Sequence, residues 1–272
     1  MRFVAVALVA SGCSLLNAFD DVRPGSGGGG SGGTTSSATG GAGPGGQDAS
    51  GGAGGAGAAG GQGGVGAGNL LFEDDFARAD GDAVGNGWIE KTPAVFSLAG
   101  GKAVKAATMD NQRNSVVYRP ESYGNVEVQA TFVQGPGTPQ EPRVLARGIS
   151  ATIDVVDEYY AYIAGIYPGT EDRFFIDRQL GTTQSPGYLD LEILAGTLVE
   201  GTTYRITLRT SGTGPIAVLG RLEELQGGSW VELSTVSFID DDTTLSGDGT
   251  VGFTGTQATT SAFDDFRVTA LP

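Results

Sequence analysis

Two similar runs decide the fold of this chain: Phe72-Glu73-Asp74-Asp75-Phe76 and Phe263-Asp264-Asp265-Phe266-Arg267-Val268. In each run a pair of aspartates lies between phenylalanines, and this short apolar–acid–acid–apolar pattern is typical of a β-strand. We predict that the two runs are the first and last strands of one β-sandwich and that they lie side by side.

Two such strands would bring four carboxylates together, and these groups repel one another unless a cation neutralises them. Clustered oxygen ligands are what a calcium ion prefers, so a structural calcium site at this seam is one prediction. Successive residues of a strand face opposite ways, so at most one aspartate of each pair should point at the ion. The alternative is that the acids face solvent on two edge strands, where charge discourages aggregation. A further run, Asp240-Asp241-Asp242, lacks the ligand spacing of an EF-hand and is expected to form a solvated turn.

The composition excludes several classes of function. The chain has 272 residues, a formal net charge of −15, no histidine and one cysteine. The acidity argues against nucleic acid as a partner, because binding it needs clustered lysine and arginine. Without histidine, neither a Ser-His-Asp nor a Cys-His catalytic arrangement is available. The same lack of histidine and cysteine argues against a zinc site, and one cysteine forms no intramolecular disulfide.

The first residues have the features of an export signal. Arg2 is followed by an unbroken apolar run over residues 3–10 and then by small residues, which predicts a signal peptide over residues 1–12. Ala10-Ser11-Gly12-Cys13 resembles the lipobox of bacterial lipoproteins. The resemblance implies cleavage before Cys13, acylation of its thiol and new amine, and a lipidated N-terminal segment over residues 13–23. Ser14, in place of aspartate, implies the outer membrane in Gram-negative bacteria. The alternative is an ordinary signal peptide with an incidental cysteine.

Residues 24–69 are nearly all glycine, alanine, serine, threonine and glutamine, and about half of the 48 glycines of the chain lie there. Such a segment has no apolar periodicity and cannot form a core that offsets the entropy of ordering. We therefore predict a disordered linker, whose mean span is about 35–40 Å for a flexible chain of this length.

Residues 70–272 show repeated alternation of apolar and polar side chains. Val126, Val128, Ala130 and Phe132 alternate with polar residues, and residues 204–209 follow the same pattern. Period-two alternation indicates half-buried antiparallel strands. About a dozen short strands with glycine and proline between them, and no long helical periodicity, predict an all-β sandwich or jelly roll.

Several short motifs follow one another along this head: Asn125-Val126-Glu127-Val128, Ala146-Arg147, Tyr159-Tyr160-Ala161-Tyr162 and Gly249-Thr250-Val251-Gly252-Phe253. With the two acidic runs at its ends, their order resembles the concanavalin A-like lectin/glucanase (laminin G-like) jelly rolls over essentially all of residues 70–272. The resemblance implies two curved antiparallel sheets, adjacent terminal strands and often a calcium ion. It implies Asp264 as a calcium ligand, with Glu73 or Asp75 opposite. It does not fix the function, because this fold hosts lectins, glycan-binding modules, glucanases and adhesion domains.

One strand offers candidate catalytic residues. Tyr188-Leu189-Asp190-Leu191-Glu192 faintly resembles the acidic signature of family 16-type glucanases, with Asp190 and Glu192 on the same side of the strand about 6–7 Å apart. Glycoside hydrolysis with retention needs two carboxylates about 5–5.5 Å apart. Tyr188, however, occupies the place of the nucleophilic glutamate of that family. The simpler interpretation is an exposed acidic strand face.

A possible ligand surface is formed by aromatic residues. If Arg147, Tyr160, Tyr162 and Phe175 lie on the concave sheet, they could stack sugar rings and bond their hydroxyls. The alternative is that these aromatic side chains fill the core. We predict a surface-anchored, non-catalytic lipoprotein whose head binds a glycan or cell-envelope polymer. The alternatives are a family 16-like polysaccharide hydrolase and a structural or adhesive envelope component without a small ligand.

Overall fold

The computed structural model of the protein describes residues 68–106, 115–135, 140–153, 158–181, 183–255 and 261–272. All of them belong to one compact unit, Gly57–Pro272. The predicted signal peptide, the lipidated segment with Cys13, and the linker up to residue 67 lie outside the described residues. Within the described part, no helix combines the length and apolarity that crossing a membrane requires.

The described residues form fifteen strands and one helical turn. In chain order these are β1 (Leu70–Asp74), β2 (Ile89–Glu90), β3 (Phe96–Ala99), β4 (Lys102–Lys105), β5 (Val116–Tyr118), β6 (Val126–Val133), β7 (Arg143–Gly148), α1 (Ser150–Ile153), β8 (Tyr159–Tyr167), β9 (Arg173–Gly181), β10 (Thr183–Ile193), β11 (Thr203–Ser211), β12 (Ile216–Gln226), β13 (Ser229–Asp240), β14 (Thr250–Thr254) and β15 (Ser261–Ala270).

The strands build two antiparallel sheets. The eight-stranded sheet has the order β13-β12-β11-β6-β15-β4-β3, with β1 also paired to β15, and the seven-stranded sheet has the order β10-β9-β8-β7-β14-β5-β2. In the pairing of β1 with β15, Glu73 lies opposite Arg267 and Asp74 opposite Phe266. The predicted all-β sandwich of two antiparallel sheets is therefore confirmed, and so is the placement of the two acidic runs side by side.

The main core lies between the sheets, and strand alternation produces it. Val126, Val128, Ala130 and Phe132 of β6 are buried there, while the polar residues between them face outward. Near the β1–β15 seam the Trp88 indole packs edge-on against two rings, with centroid distances of 5.0 Å to Phe253 and 4.9 Å to Phe266. Aromatic pairs favour this edge-to-face geometry.

A second, smaller apolar cluster lies on the outward face of the seven-stranded sheet. Its members alternate along their strands with residues of the main core: Val116, Tyr118, Leu145, Tyr159, Ala161, Ile163 and Phe175. The outward face of an antiparallel two-layer sandwich is usually polar and solvated. This sheet therefore buries apolar side chains on both of its faces.

Candidate functional site

The seam between β1 and β15 is organised by Asp74, which points into the domain. Its carboxylate accepts hydrogen bonds from Arg78 Nη1 (2.7 Å), Trp88 Nε1 (2.7 Å), Asn86 Nδ2 (3.2 Å) and the Phe76 amide (2.9 Å). Burial alone raises the pKa of Asp74, but these donors outweigh burial and hold the pKa below its usual value. The inward carboxylate of the first run is thus saturated by protein donors.

The residues predicted to bind calcium are engaged in other contacts. Glu73 Oε2 accepts a hydrogen bond from Arg267 Nη2 at 2.9 Å, Asp264 pairs with Lys102, and Asp75 accepts a hydrogen bond from a nearby backbone amide. In the described ranges no group of three or more acidic, histidine or cysteine residues could hold a metal ion. Glu73 and Asp264 therefore do not fit the predicted calcium site, because Arg267 and Lys102 supply the neutralisation expected from an ion. Asp75 does not fit it either, since it is exposed and belongs to no metal-holding group of the described residues.

Arg147 belongs to β7, and its guanidinium lies among loops and not on a ligand surface. Its side chain is buried and its backbone is left-handed, with a φ of 54°. Nη1 donates to the carbonyl oxygens of Leu245 (3.3 Å) and Ser246 (3.0 Å), and Nη2 donates to Asn125 Oδ1 (3.1 Å) and the Gly212 oxygen (2.7 Å). One guanidinium therefore ties together three separate segments of the chain.

Tyr162 lies in the core between the sheets, bonded to a buried acid. Its hydroxyl donates to Asp240 Oδ2 at 2.8 Å, and Arg178 Nη1 donates to Asp240 Oδ1 at 2.5 Å. Burial, and then the Asp240 carboxylate, raise the pKa of the Tyr162 hydroxyl above its usual value. The expectation of a solvated turn was wrong for Asp240, because Arg178 from a distant strand compensates its burial.

The structure does not bring the four predicted ligand-binding residues together. Tyr160 and Tyr162 point toward the main core, whereas Phe175 lies on the outward face of the same sheet. Phe175 is paired with Gly165 of β8. Gly165 lies on the same face of β8 as Ile163, whereas Tyr162 lies on the other face. The prediction of one shared face was wrong for Arg147, Tyr160 and Tyr162, and of the four only Phe175 lies outward.

Asp190 and Glu192 close one side of the sandwich. Asp190 Oδ2 accepts a hydrogen bond from the Ser237 amide at 2.9 Å, and Glu192 Oε2 accepts one from Ser234 Oγ at 2.6 Å. These bonds tie the edge strand β10 of one sheet to the edge strand β13 of the other. Both carboxylates therefore have a structural partner, and the interpretation as a simple exposed acidic strand face is also incomplete.

The outward face of the seven-stranded sheet brings aromatic, basic and acidic groups together. The Phe175 ring lies 4.7 Å from the Tyr188 ring, and the Arg143 guanidinium carbon lies 5.2 Å from the Phe175 centroid. Arg143 Nη2 is 3.2 Å from Glu141 Oε2, and Asp177 is paired with Tyr188. These five residues, which we name the outer cluster, are Glu141, Arg143, Phe175, Asp177 and Tyr188.

Two charged side chains of the outer cluster are buried from solvent. Arg143 is 4% exposed and Asp177 is 0% exposed, although both lie on the outward side of the sheet. Arg143 Nε has no hydrogen-bond partner among the described residues, and a buried donor without a partner is costly. Burial raises the pKa of Tyr188, and Arg143 opposes this rise. The phenol is therefore neutral near pH 7 and can both donate and accept a hydrogen bond.

The sequence pattern did not single out Arg143 and Asp177, and it noted Tyr188 only as a departure from a catalytic signature. The signal that could have identified Arg143 is the alternation of side chains along β7. Arg143 and Leu145 share the outward face, whereas Val144 and Ala146 face the main core. A basic residue on the same face as apolar neighbours is unusual and marks a face with a special environment.

The fold class is an all-β jelly-roll sandwich. No protein-family model matches the chain, and no curated protein matches it. Among solved structures, a Bacillus subtilis protein of unknown function with a galectin-like fold has a TM-score of 0.50 at 13% identity, covering 75% of this chain and 96% of that chain.

Two further neighbours have lower TM-scores. The carbohydrate-binding module CBM66 from Bacillus subtilis has a TM-score of 0.44 at 11% identity, covering 68% of this chain and 96% of that chain. A mutant of the GH43 protein BlXynB from Bacillus licheniformis has a TM-score of 0.46 at 13% identity, covering 73% of this chain and 39% of that chain. At 13% identity, the likeness to the galectin-like protein shows the fold alone.

Proposed function

We propose that the head binds a glycan or another cell-envelope polymer without cleaving it, and that the outer cluster is the binding site. The observation that carries this proposal is the Phe175–Tyr188 ring pair with Arg143 stacked on it, on a face where side chains normally contact only water. Tyr188 is 36% exposed, so part of its ring is accessible to a ligand.

The chemistry of the outer cluster suits a sugar. The Tyr188 ring offers an apolar face to the C–H groups of a sugar ring, and its hydroxyl offers a polar tip. Glu141 and Asp177 outnumber Arg143, and the chain carries a net charge of −15, so a polyanion would be repelled. A hydroxyl-rich, uncharged polymer is the class we favour.

The non-catalytic part of the proposal rests on Asp190 and Glu192. Both carboxylates are held by hydrogen bonds to β13, on the opposite side of the sheet from Tyr188 and Phe175. A glycosidase needs one carboxyl group as an acid and a second one facing the same bond of the substrate. Two carboxylates that fasten sheet edges do not present that arrangement.

A glycan array with the purified full-length protein tests the proposal. We expect Tyr188→Ala to weaken binding about tenfold, because it removes the accessible stacking surface. Phe238→Ala is the matched control, since Phe238 is 37% exposed but lies on β13 of the other sheet. This control should bind as the unchanged protein does.

Each of the other outcomes has a distinct meaning. An affinity that neither Tyr188→Ala nor Arg143→Gln changes would contradict the assignment of the outer cluster. Release of oligosaccharides that is lost on Asp190→Asn and Glu192→Gln would favour the polysaccharide hydrolase. A protein that folds but binds nothing on the array would favour a structural or adhesive envelope component.

We also propose that the protein is exported and lipid-anchored to the outer membrane through Cys13, with the linker holding the head away from the bilayer. Several acyl chains bury enough methylene groups for stable anchoring, at about 0.8 kcal/mol for each group. Cys13→Ala is expected to abolish acylation and move the protein into the aqueous phase of a Triton X-114 separation. Ser14→Ala, one residue away, should remain in the detergent phase. An unacylated mass for the unchanged protein would refute the anchor.

A further inference from the structure

A groove crosses the outward face of the eight-stranded sheet, on the opposite side of the sandwich from the outer cluster. Its volume is about 270 Å³, and its lining combines an aromatic ring with charged and amide side chains: Glu73, Asp74, Gln129, Ala130, Thr131, Arg205, Trp230, Asp265, Phe266 and Arg267. Nothing in the outer cluster contributes to it, so the groove has to be explained separately.

One wall of the groove is a supported indole ring. The Arg205 guanidinium carbon lies 4.3 Å from the centroid of the Trp230 ring, and Arg205 Nε pairs with Glu223 Oε2 at 2.8 Å. The guanidinium holds the ring from one side, while the indole remains partly exposed and lines the groove. A ring fixed in this way loses little conformational entropy when a ligand stacks against it.

The floor and the second wall offer donors and acceptors that are already oriented. Thr131 Oγ1 accepts a hydrogen bond from the Asp265 amide at 3.0 Å and donates to Asp265 Oδ2 at 3.3 Å. Gln129 also lines the groove, and its Nε2 donates to Glu127 Oε1 at 2.7 Å. Both kinds of hydrogen-bonding group are needed to recognise hydroxyls, because a hydroxyl both donates and accepts.

The charges of the groove are largely compensated within the protein. Arg205 pairs with Glu223, and Arg267 pairs with Glu73. No surplus of basic groups therefore remains to attract an anionic ligand, and Asp265 adds a negative charge. These pairings favour an uncharged ligand over an acidic one.

Asp265 is held in an unfavourable environment. Burial first, and then the neighbouring carboxylates of Asp264 and Asp75, raise the pKa of Asp265, although Thr131 and Lys102 act in the opposite sense. Because its folded-state pKa is raised, the ionised carboxylate costs stability above that pKa, and the cost falls as the pH is lowered through it.

We propose that this groove is a second saccharide site, in which an uncharged sugar ring stacks on Trp230 and its hydroxyls bond Gln129, Thr131 and Asp265. The proposal is independent of the outer cluster, because the two sites lie on opposite faces and share no residue. A head with two such sites holds two polymer segments at once, and effective concentration then strengthens binding to a surface.

The two tryptophans of the chain allow a direct test. Trp88 is 7% exposed and is bonded to Asp74 in the seam, whereas Trp230 lines the groove. The full-length ¹⁵N-labelled protein is titrated in turn with cellohexaose, xylohexaose and chitohexaose. We expect at least one of them to shift the indole N–H resonance of Trp230 more than that of Trp88, which is buried behind the groove lining. If none of the three shifts it at 10 mM (roughly the concentration at which millimolar affinity would be seen), the proposal is wrong.

Variants separate the groove from the outer cluster. Trp230→Ala should weaken hexasaccharide binding at the groove about tenfold by calorimetry, with an unchanged Trp88 resonance showing an intact fold. The Trp230 shift should persist in Tyr188→Ala, whatever happens to the outer cluster. A Trp230 shift that disappears in Tyr188→Ala would overturn the proposal.

Asp265→Asn distinguishes binding from a purely structural role. We expect this variant to raise the Tm at pH 7, because it removes the unfavourable carboxylate, and yet to weaken hexasaccharide binding, because a donor amide replaces one of the two acceptor oxygens. A raised Tm with unchanged affinity would exclude Asp265 from the site. Tighter binding of an oligogalacturonate than of the neutral hexasaccharides would overturn the assignment to uncharged sugars.

Discussion

Asp74→Ala is expected to lower the free energy of unfolding by about 3 kcal/mol, because it leaves several donors without an acceptor. Asp74 is 5% exposed, and it receives the Arg78 guanidinium, the Trp88 indole N–H and the Phe76 amide. Arg78 is partly exposed and can recover some hydration, whereas the indole N–H cannot. Urea denaturation of the full-length protein measures the loss.

Asp75→Ala provides the matched control for this prediction. Asp75 is the neighbouring carboxylate, is exposed, and accepts one backbone hydrogen bond from Ala77. Its removal should cost less than about 1 kcal/mol, as is usual for surface positions. Equal losses for the two variants would show that the seam does not depend on the inward carboxylate.

The pH dependence of the Asp74 contribution has a definite sign. Since the folded-state pKa of Asp74 is lowered, its contribution is fully present above the unfolded-state value of about 3.9 and is lost as the pH falls through the folded-state pKa. The stability difference between the unchanged protein and Asp74→Asn should therefore shrink below about pH 4. A constant difference down to pH 2 would contradict this assignment.

Arg147→Ala is expected to lower the free energy of unfolding by about 3–5 kcal/mol, the largest loss among the variants considered. The guanidinium satisfies carbonyl oxygens of Leu245, Ser246 and Gly212 as well as Asn125 Oδ1. Without it these acceptors remain at the junction of three segments, where the buried side chain had excluded water. Chemical denaturation and the Tm should both report the loss.

Two comparisons sharpen this second prediction. Arg147→Gly should be less harmful than Arg147→Ala by about 1 kcal/mol, because glycine adopts the left-handed backbone at no steric cost. Arg267→Ala breaks an ion pair whose side chains are 54% and 52% exposed, so it should cost less than about 1 kcal/mol. If Arg147→Ala is no worse than Arg267→Ala, the guanidinium does not organise the loops.

The architecture was predictable because it depends on local patterns. Along β6, Val126, Val128 and Phe132 alternate with polar residues, and the structure places them in the main core. The two acidic runs predicted the first and last strands in the same way, since flanking phenylalanines need a core on one side. Such information lies within a few consecutive residues.

The site was less predictable because its faces and partners are non-local. Strand β8 buries residues of both parities, so alternation alone could not tell which face of Tyr160 or Tyr162 met the other sheet. Arg178 reaches Asp240 across 62 positions of the chain, and Arg143 lies over the ring of Phe175 from a different strand. Only the register of the strands brings such pairs together.

The bonds between β10 and β13 have a consequence for how copies of the protein behave when crowded. Strand β13 is twelve residues long and exposes Val231, Leu233 and Ile239, so its free edge resembles a template for an incoming strand. The amide of Ser237, the ninth of the twelve residues of β13, already donates a hydrogen bond to the Asp190 carboxylate. The contact that joins the two sheets therefore also interrupts the row of backbone donors with which β13 could pair with a strand of another molecule. It favours heads that stay separate at high surface density.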